Sequence, residues 1–210
     1  GYVLTVSVSI SSGVAQIVSA IPALLEWRVE IALMLVAVVV NLNLRGVRES
    51  GMAFAIPAYI FLAVTFLTII VGLVRAAAGT LGTVVNPPEL HSSSLIIQAV
   101  TPFLLLRAFA NGTSALTGIE AIANGVTAFK EPSSHNARVV LAWMGGILAV
   151  LFLGITYLAR FTGALPSEEE TVISQIPRTI YGSEGVLYII GVVMTAVILV
   201  LAANTAFAGF

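Results

Sequence analysis

Apolar residues fill long stretches of this chain, and the polar positions between them are few and grouped. Six such stretches are readable, at about 1–24, 29–44, 52–74, 95–129, 139–159 and 185–210. A helix of about 20 apolar residues crosses the hydrocarbon core of a bilayer. Backbone polar groups in lipid must be satisfied within the structure, and no period-two alternation of a closed barrel is present, so the stretches are predicted to be helices. The predicted fold class is therefore an all-α polytopic membrane protein, organised as one transmembrane domain over residues 1–210.

The first stretch is not apolar all round. Tyr2, Thr5, Ser9, Ser12, Gln16 and Ser19 recur at alternating spacings of three and four. At about 100° per residue these positions share one helix face. Such a face turns toward other helices or toward a water-filled path. Serine and threonine also serve helix packing, because they allow close approach and bond across interfaces. For the lower part of the stripe the two readings weigh equally.

The fourth stretch is longer than one crossing needs, and polar residues interrupt it: Asn111, Gly112, Thr113, Ser114, Thr117, Gly118 and Glu120. These weaken helix continuity and supply hydroxyl and carbonyl oxygens. Transporters break helices near the bilayer midplane, and the freed backbone groups bind substrate and coupling ions. A break is predicted near 113–118. If the helix resumes below it, Thr117 and Glu120 share a face. A carboxylate within a span is costly, which suits Glu120 to carry a proton. A threonine hydroxyl and freed carbonyls suit a dehydrated monovalent cation. The structural alternative is a Glu120 held by an ion pair or by bonds to neighbouring helix ends. Arg107 is one candidate partner across the break, although a place near the interface suits it better.

Between the fifth and sixth stretches, "PSEEETVISQI" predicts a short surface helix over about 167–176, with Ser167 as cap and Glu170 completing a capping box. Three glutamates in a first turn suit the helix dipole. A plain solvated cap is the preferred reading over a cation-attracting vestibule. The sequence Asn111-Gly112-Thr113 matches a glycosylation acceptor but lies within a span and is discounted.

Composition agrees with this reading. Hydrophobic residues make up 59% of the 210 and charged residues 9%, against roughly a quarter charged in soluble domains. The absence of cysteine excludes disulfides and thiol chemistry, and no aspartate is present. His91 and His135 sit in polar loops, where solvated histidines are the rule. A net charge of −1 gives no nucleic-acid signal. The loops holding Arg45, Arg48, Lys130 and Arg138 face those holding Arg28, Arg75, Arg160 and Arg178, so the basic residues tie and leave orientation open. The chain begins at Gly1 within one apolar run and stops at Phe210 within another, which reads as a fragment lacking spans at both ends.

The blocks "YVLTVSVSISSGVAQIVSAIPAL", "NLRGVRESG", "ANGTSALTGIEAIANGVTAFKEP", "NARVVLAWM" and "VISQIPRTIYG…LAANTAFA" together resemble the APC superfamily of permeases, and within it the KimA-type potassium importers, which couple potassium to protons. The resemblance implies a LeuT-like fold of two inverted five-helix repeats, of which this chain holds the third to eighth spans, with the first stretch running outward. It implies potassium at Thr117 and Thr5, with Tyr2, Ser114 and Gly118 lining the same site and Glu120 as the proton-linked carboxylate. The acidic residue that the family places before the tyrosine is Gly1 here. Potassium and protons are then the transported species, with no cofactor. The surroundings are a lipid bilayer at the cell membrane, no nucleic acid is involved, and a homodimer is the oligomer to look for in the full-length protein.

Two other readings stand beside this one. An amino-acid permease of the same superfamily would use amides freed near Gly112 and Gly118 for a substrate carboxylate. A non-transporting structural or receptor-like membrane protein would have a straight fourth helix and a permanently paired Glu120. An enzyme is not expected, since no nucleophile–base pair or metal-ligand cluster falls within the spans.

Overall fold

The structure is a computed structural model that describes residues 2–44, 51–85, 101–113, 122, 125–167 and 169–208. All regular elements among these residues are helical. They are α1 (Tyr2–Ala20), α2 (Arg28–Leu44), α3 (Gly51–Ala77), α4 (Pro102–Thr113), α5 (Ser133–Thr162), α6 (Val172–Tyr181) and α7 (Val186–Ala208). Short 3-10 turns cover Pro22–Trp27 and Val126–Ala128. Among the described residues, four helices are long and apolar enough to cross a membrane: α1, α3, α5 and α7. The α2 helix has 17 residues.

The helices outrun the apolar stretches at α3 and α5. The sequence predicts 52–74 and 139–159, whereas the helices cover Gly51–Ala77 and Ser133–Thr162. Hydrogen bonding inside a helix does not stop at the hydrocarbon border, so polar flanks join it until a stop signal intervenes. Two glycines provide that signal. Gly79 (φ 68°) and Gly163 (φ 72°) take the left-handed conformation just past α3 and α5. Thr80 N–H then reaches back to the Arg75 carbonyl at 2.8 Å, and Ala164 N–H to that of Ala159 at 3.0 Å, satisfying carbonyls that the helix ends leave open.

The chain forms two compact units, 1–88 with 153–210 and 89–152. In the first, α1 and α7 pack along much of their length. A Cβ built on Gly13 of α1 would stand 3.6 Å from Leu199 Cβ and 3.7 Å from the Ala196 carbonyl of α7. Ile10, Val14 and Val18 of α1 form a buried cluster with Val39 of α2 and Ala203 of α7. α3 and α5 interlock through glycines. A Cβ at Gly72 would lie 2.7 Å from Leu158, and one at Gly154 would lie 2.8 Å from Ile69. Each helix seats a side chain in the other's glycine gap.

In the second unit, Thr101 caps α4 by accepting the Leu104 N–H at 3.2 Å, and Pro102 occupies the first helical position, where its missing N–H costs nothing. Most described side chains of α4 are exposed. The Glu131 carboxylate accepts the Ser133 N–H at the start of α5.

The short helix after α5 corrects the sequence expectation in two ways. It spans Val172–Tyr181 rather than 167–176, and it is not a surface helix: Ser174, Gln175, Ile176, Pro177 and Ile180 are buried. Its cap is Thr171, whose Oγ1 accepts the Ser174 N–H at 3.2 Å. Ser167 makes a local turn instead, accepting the Glu170 N–H at 2.9 Å. The physical reason is the spacing of Ile173, Ile176, Pro177 and Ile180. It lays one apolar face along the helix, and burying that face outweighs the solvation of a glutamate-rich first turn.

Candidate functional site

Two places on α1 carry the polar stripe to its ends. Ser9, Gln16 and Ser19 are buried, while Thr5 and Ser12 are half-buried. From Ser9 to Ser19 the stripe is therefore a packing face rather than the wall of an open path. At the α1 C-terminus this face meets the segment leading into α6. Ser19 Oγ donates to the Ala15 carbonyl (2.7 Å) and accepts the Thr171 N–H (2.9 Å). Thr171 Oγ1 donates to Gln16 Oε1 (2.7 Å). Tyr188 of α7 places its hydroxyl 3.1 Å from Ser174 Oγ and 3.4 Å from the Ser19 carbonyl.

Gln175 is fully buried and uses both ends of its amide. Its Nε2 donates to the Leu165 and Glu170 carbonyls at 2.7 and 2.9 Å, and its Oε1 accepts the Leu165 N–H at 3.2 Å. It therefore pins the irregular segment before α6 to α6 itself. Glu170 joins the same cluster. Its Oε1 accepts from Ser174 Oγ at 2.9 Å, and its Oε2 lies 2.5 Å from Arg178 Nη2. Burial raises the Glu170 pKa above the ordinary carboxylate value; the Ser174 hydrogen bond and the Arg178 charge act the other way. Arg75 at the end of α3 ties in the far end of α6 by donating to the Ile180 carbonyl at 2.6 Å. Gln16 Nε2 has no partner within this protein cluster.

Sequence reasoning did not assign this cluster. Gln16 and Ser19 stood out as stripe residues, but their partners lie about 150 residues away. The readable signal was the apolar stripe of α6 together with Thr171 three positions ahead of Ser174, an N-cap spacing.

At the other end of α1 stand the residues the sequence singled out for cation binding. Tyr2 opens the helix, and Thr5 lies in its first turn, half-buried. The antiparallel packing seen at Gly13 carries this turn toward the level of the last turns of α7. There Asn43 of α2 donates to Asn204 Oδ1 at 2.6 Å and to the Val39 carbonyl at 2.8 Å. Asn204 is buried. This amide pair also went unassigned in the sequence, because asparagines near helix ends ordinarily read as caps.

The remaining predicted site residues are Ser114, Thr117, Gly118 and Glu120. They lie outside the described residues, as does His91. The described part of α4 ends at Thr113. Arg107 is exposed on α4, and His135 is exposed in the first turn of α5. No group of three or more potential metal-ligating His, Cys, Asp or Glu side chains occurs among the described residues.

The long apolar helices and the close α1–α7 packing through Gly13 suit a polytopic transport protein, and comparison with known families decides which. The family model described as "Amino acid permease" matches residues 1–210. The chain belongs to this permease family. It is a multi-pass cell-membrane protein with the family's all-helical fold in part. This permease is also 47% identical over all 210 residues to a curated protein, "Potassium transporter KimA" of Bacillus subtilis (strain 168). The alignment covers 34% of that protein's length.

Proposed function

We propose that this permease chain is part of a secondary transporter that imports potassium together with protons. The observation that carries the reading is its 47% identity, over its whole length, to a potassium transporter. In this reading the hydroxyls of Thr117 and Thr5 help replace the hydration shell of potassium. Tyr2, Ser114 and Gly118 complete the lining, and Glu120 carries the proton. A threonine–glutamate pair suits this chemistry because hydroxyl oxygens bind a cation without fixing its charge balance. The carboxylate can then change charge as the cation enters or leaves. Potassium and the proton are cargo, and no cofactor takes part.

A second reading is favoured by the description of the family itself: import of an amino acid. One experiment separates the two. Rubidium uptake is measured at two external pH values in potassium-import-deficient cells expressing the full-length protein, alongside Thr117→Val and Glu120→Gln. The potassium reading expects pH-dependent uptake that falls at least about tenfold in both variants, a loss of about 1.4 kcal/mol or more in transition-state binding. If the full-length protein moves no rubidium and instead accumulates a labelled amino acid, the amino-acid reading replaces it.

A further inference from the structure

We propose that the groove between α1 and α2 binds one anionic phospholipid, with its phosphate at Arg28 and an acyl chain lying along the groove. This site is separate from the cation site proposed around Thr117 and Glu120, and it does not depend on which cargo the transporter moves.

The short turn Pro22–Trp27 joins α1 to α2, so both helices meet one membrane surface there. Trp27 is exposed in that turn, and tryptophan is enriched where lipid meets water. Arg28 follows it and opens α2. From this level inward the two helices leave a groove of about 540 Å³. Its α2 wall carries Arg28, Val29, Leu33 and Val36, whose spacing puts them on one helix face. Its α1 wall runs back from Val18 through Val14 and Ser11 to Ser7. Ser167 lines the same groove. It precedes Thr171, which bonds Ser19 at the C-terminus of α1, so it belongs to the end of the groove that Arg28 marks.

The dimensions fit a lipid chain. From Arg28 to Val36 the α2 wall rises about 12 Å, and from Ser7 to Val18 the α1 wall rises about 16 Å. Half of the hydrocarbon core is about 15 Å. The groove therefore runs from the interface to about the midplane, which is the depth of one leaflet. Over that length its volume leaves a cross-section of roughly 40 Å². A helix with its side chains, about 10–12 Å across, has at least about twice that area. The groove takes in a hydrocarbon chain and excludes a whole helix.

The polar groups fit a phosphate at one end and nothing polar below it. Among the described residues, Arg28 is the one charged residue lining the groove. Glu26 and Glu30 flank it in the sequence and are exposed. Arg28 already interacts within the protein, and its five N–H donors let it hold a phosphate oxygen as well. The Ser167 hydroxyl is engaged by Glu170, donating to its carbonyl at 3.1 Å and accepting its N–H at 2.9 Å. The Ser7 hydroxyl donates to the Val3 carbonyl at 2.9 Å, so it needs no partner in the groove. Headgroup recognition thus falls to Arg28, and the walls beyond it offer mainly hydrocarbon contact. Basic residues between transmembrane helices hold anionic lipid headgroups in this way.

The test uses the full-length protein in phosphatidylcholine vesicles that contain a small share of phosphatidylglycerol with a photoactivatable diazirine on one acyl chain. After irradiation, peptide mass spectrometry should find adducts on residues 7–18 and 29–36. Unlabelled phosphatidylglycerol should compete these adducts away, and additional phosphatidylcholine should not. Arg28→Gln should lower them about fivefold, the worth of one basic residue near an anionic surface, and leave adducts elsewhere on the protein unchanged. Should Arg28→Gln fail to fold, Ser11→Phe, which adds bulk at an exposed position of the groove, should remove the same adducts. Equal competition by both lipids, or adducts that these variants leave unchanged, overturns the proposal. Absence of adducts from both segments in a protein that labels elsewhere also overturns it, and means that another part of the full-length protein fills the groove.

Discussion

The two ends of α1 have similar sequences and different structures. At the C-terminal end, Gln16 and Ser19 face a cluster that joins α1, α6 and α7 through Thr171, Ser174, Gln175 and Tyr188. At the N-terminal end, Thr5 is half-buried, and Asn43 of α2 donates to Asn204 of α7 nearby. Both ends belong to one three–four stripe of small polar residues. The difference teaches that such a stripe specifies a face, while its partners decide what the face does. Where a neighbouring segment brings backbone groups needing partners, as the stretch before α6 does, the stripe becomes a brace. Where the neighbours are two regular helices, whose backbone groups bond internally, no irregular segment draws on the stripe in this way.

The largest effect that would break this comparison is expected at Gln175. Gln175→Ala removes three hydrogen bonds and leaves Leu165 N–H and two carbonyls without these partners in a buried place. A loss of about 3 kcal/mol is expected, read as a fall in the thermal unfolding midpoint of the full-length protein in detergent. A loss below about 1 kcal/mol would mean that the brace is incidental.

A smaller effect is expected at Asn43. The pair lies between two helices, where such bonds average about 0.6 kcal/mol and reach about 1.7. Asn43→Leu should cost about 1 kcal/mol, and adding Asn204→Leu should recover most of it, because no buried amide is then left without a partner. A double-mutant cycle with no such recovery would show that Asn204 has a second task. The smallest effect is expected midway, at Gly13. Its Cβ would meet α7 at ordinary van der Waals distance, so Gly13→Ala should be neutral or raise stability by up to about 1 kcal/mol through helix propensity. Destabilisation in the same unfolding assay would show that α1 and α7 approach more closely in the membrane.

Much of this architecture was legible in the chain. The helices α1, α2, α3, α5 and α7 follow from apolar runs, because lipid exposure leaves little else for a segment to be. The polar face of α1 followed from its spacing. What failed was the short helix after α5. The glutamates at 168–170 suggested a solvated first turn, but the helix starts later, at Thr171, and the isoleucines after it draw the helix inward. The Glu170 cluster was hidden for a different reason. Its bonds join residues more than 150 positions apart, and no local period records such a pairing. The break predicted near 113–118 falls on residues outside those described.

The glycine gaps of α3 and α5 fix where these two helices can meet. Gly72 receives Leu158 and Gly154 receives Ile69. A methyl group at either glycine would overlap the side chain seated there, so neither helix can slide or turn at this contact without first withdrawing that side chain.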